Sequence, residues 1–133
     1  MSVGILIVTH GNIGEAILET ATDIIGSSPI PTQVINIGMD GDYDILLNEV
    51  NSAGEKLNTG DGILLLTDLF GATPSNLASA INNRNCIVIA GLNLPMLIRV
   101  MNYYNLPLYE LSDKAIDGGK DGILAYYLDE NTN

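Results

Sequence analysis

At 133 residues the chain is long enough for one domain that buries about two-thirds of its unfolded surface, so no covalent or metal staple is required. Hydrophobic residues at 47% exclude a disordered chain, and the single cysteine, Cys86, excludes an internal disulfide framework. A formal charge of -11, from 16 acidic against 5 basic residues, argues against nucleic acid or an anionic membrane as a partner.

The segments alternate between strand and helix. Val3–Val8 is a short run rich in β-branched residues, ended by a glycine turn. From Ile13 to Ile25, apolar residues recur at Ile13, Ala16, Ile17, Ala21, Ile24 and Ile25, which is helical spacing. Gly26-Ser27-Ser28-Pro29 stops that helix, because proline cannot continue it. Gln33–Ile37 reads as a second strand, and after it Leu46, Val50, Ala53 and Leu57 mark one face of a second helix.

Gly60-Asp61-Gly62 turns into a third strand, Ile63–Leu66. A helix is expected from about Pro74, since Thr73 suits the N-cap and proline the first helical position. Cys86–Ala90 reads as a fourth strand, with Cys86 as a core residue rather than a nucleophile. Gly91-Leu92-Asn93 leads to a helix opening at Pro95, whose apolar face includes Leu97, Ile98 and Met101. A last helix is expected within Leu108–Ile116, followed by a glycine-rich turn at Gly118–Gly122 and an apolar run at Ile123–Leu128.

Strands separated by helices imply an α/β domain: an open, mainly parallel sheet with helices on both faces. The run Ile123–Leu128 either joins the edge of that sheet or lies on a partner subunit. No stretch approaches the roughly 20 apolar residues of a membrane span. No basic region precedes the first apolar run, as a signal peptide would require, so a cytoplasmic protein without membrane insertion is expected. The acidity has two readings, solubility alone or faster encounter with a basic protein face.

The lone histidine, His10, ends the first apolar run, and Asp68 ends the third in the same manner; each follows a threonine. If the two strands are neighbours in a parallel sheet, their ends lie about 5 Å apart. Ligands of open parallel sheets bind at the carboxyl ends of the strands. A carboxylate that accepts from one ring nitrogen fixes the tautomer and leaves the other nitrogen bare and nucleophilic. The bland alternatives are a surface or satisfied core histidine and an N-cap or turn aspartate.

The loop Asp68-Leu69-Phe70-Gly71-Ala72-Thr73-Pro74 runs from a strand into the start of a helix, whose unpaired N–H groups and dipole favour phosphate. Gly71 and Ala72 let the backbone approach closely, and the Thr73 hydroxyl can donate to a phosphate oxygen. There is no nucleotide-binding glycine motif and no Gly-x-Ser-x-Gly elbow. Asp40-Gly41-Asp42-Tyr43-Asp44 begins like a calcium loop, but Ile45 and Asn51 stand where glycine and glutamate are needed. One histidine and one cysteine do not make a zinc site. No metal or cofactor is therefore expected, and a histidine beside a phosphate cradle points to phosphohistidine.

At these residues the chain resembles the IIA domain of the mannose-family sugar phosphotransferase system. The matching segments are Gly4-Ile5-Leu6-Ile7-Val8-Thr9-His10-Gly11, Thr67-Asp68-Leu69-Phe70-Gly71-Ala72-Thr73-Pro74-Ser75-Asn76 and Ala90-Gly91-Leu92-Asn93-Leu94-Pro95-Met96-Leu97. The resemblance implies one such domain over residues 1–129, with a polar tail at 130–133. It implies that His10 is phosphorylated at Nε2 by the phosphocarrier protein HPr and that Asp68 binds the other ring nitrogen. Thr73 and the loop N–H groups of Phe70, Gly71 and Ala72 would hold the phosphoryl oxygens.

The phosphoryl group would then pass to a separate IIB component, since no IIB domain follows Asn133 here, and finally to a sugar at a membrane permease. A homodimer is implied as well, in some members with the last strand exchanged, for which Ile123–Leu128 is the candidate. Ala72 departs from the second glycine that many members carry. A regulatory module whose phosphorylation is sensed by a partner would use the same residues without sugar transport. A flavin-binding domain is disfavoured by the lack of tryptophan and by aromatics of only 5%.

Overall fold

The computed structural model describes residues 2–38, 42–69, 81 and 85–129. Four strands form one sheet: β1 (Gly4–His10), β2 (Thr32–Ile37), β3 (Ile63–Thr67) and β4 (Cys86–Ala90). Their order is β2-β1-β3-β4 and every pairing is parallel, as the alternation of strands and helices predicts. The strands β1 and β3 are almost wholly apolar because both their faces are covered.

Among the described residues, four helices cover the faces: α1 (Ile13–Ile25), α2 (Tyr43–Leu57), α3 (Leu94–Asn102) and α4 (Leu108–Asp121). One side of the sheet, with Ile5, Ile7, Leu64, Leu66 and Ile89, packs on Ala21 of α1, Leu97 and Val100 of α3, and Leu111 and Ala115 of α4. The opposite side, with Leu6, Val8, Ile35, Ile63 and Leu65, packs on Val50, Ala53 and Leu57 of α2. The chain leaves β1 through α1 toward β2, then returns through α2 to β3 on the other flank of β1. The carboxyl ends of β1 and β3 are thus the point where the winding direction reverses, and there a crevice opens in such sheets.

Several elements differ from the sequence expectation. In α1 the buried face runs through Gly14 and Ala21 with Ile17, Leu18 and Ile25 packed beside it, while Ile13 and Ile24 point to solvent. Strand β1 continues past Val8 through Thr9 and His10, which keep their register with Asn36 and Ile37 of β2. The helix expected from Pro74 lies outside the described residues, as do the phosphate-loop candidates Phe70, Gly71, Ala72 and Thr73, residues 40–41 and the tail 130–133.

Gly118 and Gly119 are not a turn: α4 runs through them to Asp121. Their role is close helix packing, since a Cβ at Gly118 would lie 2.5 Å from Cβ of Arg99 on α3, and one at Gly119 would lie 2.9 Å from the Met96 methyl. Alanine ordinarily stabilises a helix interior by about 1 kcal/mol over glycine. Here the G118A variant is expected to lose about 1–3 kcal/mol through overpacking. Urea unfolding measures it, and a stability equal to or above the parent would refute the packing account. The run Ile123–Leu128 forms no strand in the single chain; Ile123, Leu124, Tyr126, Tyr127 and Leu128 are all strongly exposed.

Candidate functional site

The register of the sheet decides how the two chemical groups meet. Val8 of β1 lies opposite Thr67 of β3, so Asp68 is level with Thr9 and His10 projects one residue further out. From that offset, the Asp68 carboxylate reaches His10 twice. Its Oδ2 accepts from the His10 backbone N–H at 3.2 Å, and both its oxygens lie 3.2 Å from Nδ1 of the ring. The side chain of Asp68 is only 14% exposed, whereas that of His10 is 47% exposed. The pairing read from the sequence is therefore made, with the carboxylate sheltered and the ring open.

With Nδ1 committed to the carboxylate as donor, the neutral ring carries its lone pair on Nε2. Nε2 is the nitrogen farthest from Asp68 on the half-exposed ring, so an incoming group can approach it.

The turn carrying His10 is held from three sides. Gly11 has φ +54°, a left-handed conformation that glycine adopts without strain, and its N–H donates to the Ile37 carbonyl of β2. Asn12 stands at the N-cap of α1 but its side chain makes no cap bond. Instead the buried Thr9 hydroxyl accepts from the Gly14 N–H at 2.7 Å. Asn36 donates to Glu15 at 3.0 Å, which joins the first turn of α1 to β2. Neither Thr9 nor Asn36 was singled out by sequence reasoning. The Thr-His dipeptide at a strand end was the available signal for the first, and nothing local marks the second.

Around the same end of the sheet, Leu92 donates to the Thr67 carbonyl, and Asn93 caps α3 through Met96 while also donating to the Gly119 carbonyl. Cys86 sits at the other end of β4, opposite the first residue of β3. Burial pushes its thiol up to about 11, so it stays protonated and takes no part.

Comparison with known proteins bears on what this pairing belongs to. Residues 4–115 match the family described as "PTS system fructose IIA component" (EIIA-man). The chain belongs to this family. It is also 34% identical over 134 residues, covering 94% of the chain, to the mannose-specific EIIAB component of the phosphotransferase system (PTS) from Escherichia coli strain K12. It spans 40% of that relative's length.

Among solved structures, PTS component EIIA from Streptococcus agalactiae superposes with a TM-score of 0.78 at 29% identity, over 92% of this chain and 96% of that one. The mannose/sorbose-specific IIA subunit from Enterococcus faecalis superposes with a TM-score of 0.84 over 98% of both chains; its 22% identity speaks for the fold. As a mannose-family IIA component, the chain carries the His10–Asp68 pair at the winding reversal of its own sheet.

Proposed function

We propose that this IIA component accepts a phosphoryl group from HPr on Nε2 of His10 and passes it to a IIB component, and through it to a sugar at a membrane permease. The observation that carries the reading is the half-exposed His10 ring with Nδ1 held 3.2 Å from a sheltered carboxylate. In the transfer, the Nε2 lone pair forms a bond to phosphorus as the bond from phosphorus to the donor's imidazole breaks, and the donor nitrogen keeps that electron pair. His10 retains its Nδ1 proton, so the phosphorylated ring is positively charged. Asp68 neutralises that charge at close range, as a carboxylate does for an imidazolium in a catalytic triad.

In this reading Thr73 and the N–H groups of Phe70, Gly71 and Ala72 receive the three phosphoryl oxygens. Exposed Ile13 and Leu69, flanking His10 and Asp68 in the chain, offer apolar contact to the partner. The net charge of -11 suits partners with a basic face. Incubation with phosphoenolpyruvate, enzyme I and HPr is expected to add one acid-labile, base-stable phosphate per chain. A protein that stays unlabelled would overturn the assignment.

The chain is further proposed to act as a homodimer in which Ile123–Leu128 of each copy covers an open sheet edge of the other. β4 pairs only with β3 among the described strands, and the run leaves five large apolar side chains in water, a patch that calls for a cover. Removing residues 123–133 is expected to halve the mass measured by light scattering. An unchanged mass for the shortened chain, or a full chain that is already monomeric, would dismiss the exchange.

A further inference from the structure

We infer that Thr9 is a positioning residue for phosphoryl transfer: its hydroxyl replaces the missing N-cap of α1 and thereby sets the turn that presents His10. The inference rests on the acceptor reading of His10 given above. A helix start ordinarily has its second or third N–H satisfied by the N-cap side chain. Asn12 is of the right type, yet its backbone, at φ -106° and ψ 19°, is not extended as a cap residue's is, and its side chain makes no such bond. The second N–H of α1, that of Gly14, goes to Thr9 on the preceding strand at 2.7 Å.

Space at Gly14 supports the same conclusion independently. A Cβ there would lie 2.8 Å from the Thr9 hydroxyl oxygen and 2.7 Å from the Ile7 side chain. The helix start is thus drawn against β1 to a distance at which only glycine fits. Only Gly11 and Asn12 separate β1 from α1, so a shift of the helix start is passed directly to His10. Thr67, the corresponding threonine on β3, makes a different contact among the described residues: its hydroxyl meets its neighbour Asp68, at 3.5 Å.

Thr9 touches neither the ring nor the incoming group. It acts by keeping the His10 N–H and Nδ1 aligned on Asp68 together, which holds the proton on Nδ1 and the lone pair on Nε2. A misplacement of about 1 Å at a reacting group can cost about a hundredfold in rate.

The test compares Thr9→Val, which keeps the shape without the acceptor, with Thr9→Ser, which keeps the hydroxyl. Two quantities are read: the rate of phosphoryl transfer from phosphorylated HPr, and the imidazole 15N shifts that report which nitrogen carries the proton. T9V is expected to slow transfer by about tenfold or more with KM for HPr unchanged, and to mix the two tautomers, while T9S restores both. A T9V protein with parental rate and tautomer overturns the inference. So does a T9S protein as impaired as T9V, because packing rather than the hydroxyl would then matter.

Should T9V not fold, Thr9→Ala takes its place against T9S, with equal behaviour of the two overturning the inference. If the parent takes no phosphate, the acceptor reading falls, and the imidazole signal alone then judges Thr9.

Discussion

The His10→Ala variant is expected to take up no phosphate from phosphorylated HPr while keeping the circular dichroism of the parent. The histidine is half exposed at a strand end, and its side chain contributes to neither apolar cluster, so its removal costs the contact with the sheltered Asp68 carboxylate, about 1–3 kcal/mol, and leaves the core intact. Neither Asp68 nor Cys86 can substitute. Asp68 is sheltered and holds the His10 N–H, and Cys86 lies at the far end of β4 with its thiol protonated. Four residues of strand, about 13 Å, separate that end from the site. Labelling of H10A at a substantial fraction of the parental level, measured by intact mass at alkaline pH, would place the acceptor elsewhere.

That much of this site was legible follows from how parallel sheets are built. Strands covered on both faces must be continuous apolar runs, and Gly4–Val8 and Ile63–Leu66 are conspicuous as such. Polar residues that terminate these runs fall at the carboxyl edge, so His10 and Asp68 could be assigned to one rim. Whether they would touch depended on β1 and β3 being neighbours, which strand order alone decides.

What the sequence hid was packing at close range. Glycines at 118 and 119 read as a turn because their local effect is to break helices. In the fold they lie where α4 presses on Arg99 and Met96 of α3, a tertiary demand that outweighs propensity. The rotation of α1, which exposes Ile13 and Ile24, has the same origin. Gly14 takes the buried position because the helix start is drawn onto β1, and a periodicity count of large apolar residues passes over glycine. The run Ile123–Leu128 has the sequence of a strand, but it pairs with no strand among the described residues, so sequence and single-chain structure leave it equally open.

Asp68→Asn is expected to slow phosphoryl transfer to His10 by about 10²- to 10⁴-fold, with little change in fold. The substitution is nearly isosteric, and the amide oxygen can still accept from the His10 backbone N–H now bound to Oδ2 at 3.2 Å. Two things are lost. The amide nitrogen can donate to Nδ1, which moves the ring proton to Nε2 and occupies the lone pair needed for attack. The negative charge that balances the phosphorylated ring is also gone, so the product is destabilised together with the transition state leading to it. Asp68→Ala removes the charge but offers no donor to Nδ1, and it releases the His10 backbone as well. The two variants therefore separate the tautomer from the charge. If tautomer control dominates, D68N is the slower and its 15N spectrum shows the proton on Nε2. If charge balance dominates, the two are equally slow and their phosphorylated forms hydrolyse faster than the parent's. Rapid-quench measurement of transfer from HPr distinguishes the cases, and a parental rate in both variants would remove Asp68 from the chemistry altogether.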